Sequence, residues 1–294
     1  MKKTKGFSFI FQKNLFALFT VLLLLLPHVV LGAGLTVEPG GLLLQKVPLG
    51  EVYDLSKESG ITLKIHNRND SKRTYRISAR KPSAAGSGQW TEGYQEIPDP
   101  VILSFDKNEV TIEPQGIGEV RLYLKIPQEP RYYNQHWAVT AAVEGQPATG
   151  ELFALAAYPL FEIETESRKG IGEKPWGKIG VEPSSLTLQA TENGKIKIYN
   201  NEDKGHKYSL RIDMSTDTSS TRQIGLSPGY RNVPDVGWID MSHKEFAIKR
   251  DGVQEVSLTA RLPDKPSPSG PWEAILWVES DSGEKAFIRV DIEQ

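Results

Sequence analysis

The chain has 294 residues, with 35 basic and 37 acidic side chains, a formal charge of −2 and no cysteine. The missing cysteines exclude disulfides, thiol catalysis and thiolate metal sites, and the mildly acidic, interspersed charge argues against a nucleic-acid partner, which needs clustered positive charge. Stability must therefore come from buried apolar cores.

Lys2, Lys3, Lys5 and Lys13 precede an uncharged apolar run over 15–26, and Val30-Leu31-Gly32-Ala33 supplies small residues suited to cleavage. Pro27 and His28 interrupt the run before it becomes a convincing anchor. Residues 1–33 therefore read as a signal peptide, leaving an exported, periplasmic or extracellular chain with no membrane span. Its loss leaves 31 basic against 37 acidic side chains, a formal charge of −6.

Beyond the leader, apolar residues alternate with polar ones at the period of a half-buried strand: Ile61, Leu63, Ile65; Tyr75, Ile77, Ala79; Val120, Leu122, Leu124, Ile126; and Trp137, Val139, Ala141, Val143. Turn chemistry separates these runs at Asn67-Arg68-Asn69-Asp70 and Glu113-Pro114-Gln115-Gly116. No window of comparable length has helical spacing. A Gly- and charge-rich stretch containing Pro175 follows and reads as a linker. The same order of strands and turns then returns, with Ile196, Ile198; Tyr208, Leu210, Ile212; Val256, Leu258, Ala260, Leu262; and Trp272, Ala274, Leu276, Val278.

This return is a sequence repeat. Gly93-Tyr94, Pro98-Asp99 and Glu119-Val120 recur as Gly229-Tyr230, Pro234-Asp235 and Glu255-Val256, each 136 positions on, and Asn67 and Tyr75 recur as Asn200 and Tyr208, 133 positions on. A period this long is the size of a domain, and offsets that change only between matched blocks are what loop insertions produce. The expected architecture is all-β: two tandem immunoglobulin-like antiparallel sandwiches over 34–164 and 177–294, joined by a linker over 165–176. With no inter-sheet bridge available, Trp137 and Trp272 are the expected central core residues.

Three features are candidates for partner binding. Leu152, Phe153, Leu155, Ala157 and Tyr158 belong to a segment, 152–161, that is apolar on both faces and so needs a cover: either the second half or the linker buries it, or a partner's strand adds to it until Pro159 ends the pairing. The loop carrying Arg131, Tyr132 and Tyr133 has residue types enriched at recognition surfaces, although Tyr132 and Tyr133 would equally serve to close the end of the sandwich, and Trp90 with Tyr94 forms a similar case. Glu162, Glu164 and Glu166 alternate onto one strand face and read as a solvated acidic edge. His66, His136, His206 and His243 stand at no metal-ligand spacing from one another, and the chain has no H-E-x-x-H, G-x-S-x-G or phosphate-cradling motif, so no catalytic residue, metal or cofactor is expected.

The first strand over 35–44, the block over 61–67, the segment over 114–120 and the last strand over 152–163 make the first half resemble the N-terminal immunoglobulin-like domain of periplasmic pilus-assembly chaperones. Tyr53-Asp54-Leu55 and the stretch over 110–126 are similar to immunoglobulin-like domains of bacterial surface proteins that accompany WxL proteins. The chaperone resemblance implies an Arg on the first strand and a Lys on the last that hold a subunit's terminal carboxylate; neither strand carries such a residue here, and Lys46, Arg168 and Lys169 lie outside them. The expected function is that of a non-enzymatic cell-envelope protein acting by protein–protein interaction, chaperone-like or as an adaptor for surface or fibre proteins. The alternative is binding of a cell-wall polysaccharide such as peptidoglycan through Trp90, Tyr94, Tyr132 and Tyr133.

Overall fold

The computed structural model describes residues 34–86, 90–147, 153–189, 193–214, 224–263 and 270–293; the leader lies outside them. In each half the first strand is shared between two facing sheets. Leu35–Glu38 pairs antiparallel with Leu63–Asn67, which pairs in turn with Ile117–Val120. After Pro39 the chain crosses over, and Gly41–Val47 runs parallel to Leu160–Thr165 at the edge of a second sheet that continues through His136–Gly145, Arg73–Arg80 and Glu109–Ile112. The second half does the same: Ile179–Glu182 joins Asn193–Asn200 and Val253–Ala260, while Ser185–Gln189 runs parallel to Lys285–Glu293 beside Trp272–Ser280, His206–Asp213 and Glu245–Ile248. Both halves are immunoglobulin-like sandwiches.

Each sandwich closes on its own core. Leu63, Ile65, Tyr75, Ile77, Val120, Leu122, Leu124, Trp137, Val139 and Phe161 fill the first, and Ile196, Ile198, Tyr208, Leu210, Val256, Leu258, Trp272, Ala274, Leu276 and Ile288 fill the second. Trp137 and Trp272 are both fully buried, as the repeat requires, with Tyr132 and Trp238 packed edge-on against them. The alternation thus identifies the core face of each strand.

The repeat extends to a buried polar joint. Asn67 is fully buried; its Nδ2 donates to the carbonyls of Ser71, Ile112 and Glu113 at 2.8–3.1 Å, and its Oδ1 accepts from the Asn69 N–H. Asn200 does the same with Lys204, Ile248 and Lys249, and accepts from the Glu202 N–H. One side chain thereby ties its own loop to the turn that carries the chain from one sheet to the other, satisfying carbonyls that the strand ladders leave over.

Three segments depart from the alternation. The run over 120–126 is broken at Arg121, whose N–H goes to the Asp106 carboxylate at 2.9 Å instead of a neighbouring strand. The last strand of the first half is Leu160–Thr165, with only Ala156–Ala157 pairing upstream, because Pro159 has no N–H for the ladder. Finally, Leu55–Glu58 forms one helical turn capped by Asp54, whose Oδ1 accepts from the Ser56 N–H.

Replacing Asn67 or Asn200 with Ala should each lower the unfolding free energy by about 2–4 kcal/mol in urea titrations, because buried carbonyls lose their donor. The paired tyrosines should differ. The Tyr75 hydroxyl donates to Asn67 Oδ1 at 3.1 Å, so Tyr75→Phe should cost about 1 kcal/mol. The Tyr208 hydroxyl is buried without a hydrogen-bond partner among the described residues, so Tyr208→Phe should be neutral or stabilising; equal losses at both positions would contradict this.

Candidate functional site

The face of each second sheet that turns away from its own core is also covered. Tyr94 and Ala138 of the first half meet Ile224, Ile275, Trp277 and Phe287 of the second, with Leu43, Trp90 and Leu160 partly buried around them. His136 stacks on Phe287 with ring centroids 3.8 Å apart and planes 10° from parallel. The two sandwiches are therefore packed back to back along a seam.

A charged cluster lies within that seam. Arg289, 3% exposed, makes a two-pronged contact with Glu164 of the other half: Nε to Oε2 at 2.7 Å and Nη2 to Oε1 at 2.5 Å. Its Nη1 donates to Glu273 Oε1 at 2.6 Å and to the Gly225 carbonyl at 2.9 Å, while the Tyr94 hydroxyl donates to Glu164 Oε1 at 2.6 Å. Burial alone would push the Glu164 carboxyl up, but the hydrogen bonds and charge of Arg289 outweigh it and hold the group below its ordinary value. Burial, then the Glu164 charge, push the Tyr94 phenol well up, so it stays a donor. Glu164 is accordingly a buried clasp and not part of a solvated acidic edge. Arg289 and Asp291, which look like the wet face of an alternating strand, are both buried.

The segment expected as a linker is fastened to both halves. Asn134, 3% exposed, accepts at Oδ1 from the Arg168 N–H at 2.8 Å and the Ser184 N–H at 3.0 Å, and donates to the Arg168 carbonyl. Ile171 and Trp176 pack against the first core.

The candidate residues separate into two groups. Tyr94 lies in the seam, and Trp90 donates its indole N–H to the Tyr94 carbonyl at 2.9 Å. Tyr133 is buried, with Arg168 donating to its hydroxyl at 3.0 Å and stacked over its ring. Tyr132 packs against the first core, and Arg131 is exposed and paired with Glu129 at 2.6 Å. These tyrosines hold the chain together. Phe153, Leu155 and Tyr158, in contrast, are 87%, 45% and 37% exposed, and Ala157 is half-buried where it pairs with Val143. Leu152 lies outside the described residues. Among the described residues no group of three or more His, Asp or Glu could hold a metal ion, and no helix is long and apolar enough to cross a membrane.

Two seam groups titrate against each other. Burial holds the His136 imidazole down at about 4, so its contribution to stability is lost as pH falls from about 6.5 toward 4. Burial and then the Glu273 charge push the Asp291 carboxyl up to about 6, so its contribution is present in acid and lost as pH rises through 6. The slopes oppose each other between pH 4 and 6. Asp291→Asn should remove one of them, so that acidification from pH 7 to 4 lowers the variant's unfolding free energy by about 3 kcal/mol while wild type changes by less than half as much. Superimposable pH profiles would contradict this.

No family model matches the chain, and no curated protein matches it. Among solved structures the chain is similar to a protein of unknown function from Porphyromonas gingivalis W83, with 11% identity over 89% of this chain and 100% of that one and a TM-score of 0.35. It is similar to the E. coli chaperone DraB, with 11% identity over 88% of this chain and 96% of that one and a TM-score of 0.32. The class 5 fimbriae chaperone CfaA shows 12% identity over 87% of this chain and 98% of that one, with a TM-score of 0.31. Chaperones of the kind the sequence resembles thus stand among the similar structures.

Proposed function

We propose that this is an exported, non-enzymatic protein of the cell envelope that works by protein–protein contact, chaperone-like or as an adaptor for surface or fibre proteins. The observation that carries the reading is the exposure of Phe153, Leu155 and Tyr158 within six residues. Export rests on the leader over 1–33.

Ala156–Ala157 pairs with Val143 and Glu144 and, among the described strands, with no other. An extended apolar stretch of a partner can therefore lie along this segment and cover the three side chains. Covering Phe153 and Leu155 would contribute roughly 1.5–3 kcal/mol each.

Full-length protein carrying Phe153→Lys and Leu155→Lys, used as bait against a cross-linked envelope fraction, should lose its protein partner, with affinity at least about a hundredfold lower. Its melting temperature should be unchanged, since both side chains lie on the surface. Undiminished capture by the double variant would contradict the proposal.

A further inference from the structure

We draw no further inference here: the strongest candidate, the small cavity of about 140 Å³ walled by Tyr75, Gly145, Phe153, Ala154 and Leu155, opens onto the apolar segment already described, and nothing in the structure shows what covers it.

Discussion

The structure depends on one buried charge having its partners on both sides of a seam. Arg289 stands on the last strand of the second sandwich, and half of its compensation, Glu164, stands on the last strand of the first. An isolated guanidinium at that depth would be costly, so any arrangement that slides one sheet over the other must strand a charge. Most of the favourable free energy of the seam comes from Phe287, Trp277, Tyr94 and their neighbours, which are non-directional in what they gain. The ion cluster fixes register: it penalises misalignment more than it adds net stability.

This arrangement gives the repeated halves different duties. Both retain the Asn joint, the buried Trp and the strand shared between sheets, because these close any one sandwich. The outward faces of the second sheets are not interchangeable. The first contributes His136, Ala138 and Glu164, and the second Phe287, Arg289 and Ile275, so they complement each other. With those faces consumed, the exposed apolar side chains of Phe153, Leu155 and Tyr158 are left outside the seam.

The core was legible in the sequence because burial on one face of a strand imposes a period of two, and Val120, Leu122, Leu124 and their counterparts carry it plainly. The repeat made Asn67 and Asn200 a matched pair before any contact was known. The seam was not legible in the same way. Arg289 and Asp291 alternate with apolar residues, and a charged residue is normally a mark of solvent; Arg289 is buried because Glu164, 125 positions away, and Glu273 both pair with it. A signal was nonetheless present, since Ile275, Trp277 and Phe287 make the intervening positions of their strands apolar as well, so both faces had to be covered. Tyr94 and Tyr133 misled for a related reason: aromatic residues with a polar tip suit a recognition loop and a buried hydrogen-bonded joint equally. The two-faced apolar run over 152–161 divides at Pro159, downstream of which Leu160 enters the seam and upstream of which Phe153 and Leu155 stay in solvent.

The most direct measurement is a double-mutant cycle in unfolding free energy between Glu164→Gln and Arg289→Met, residues that lie in different copies of the repeat. Back-to-back packing predicts a coupling energy of about 1.5 kcal/mol or more, because each single change leaves its former partner buried and uncompensated. Additivity within about 0.5 kcal/mol would show that the two side chains do not meet, and would contradict the seam.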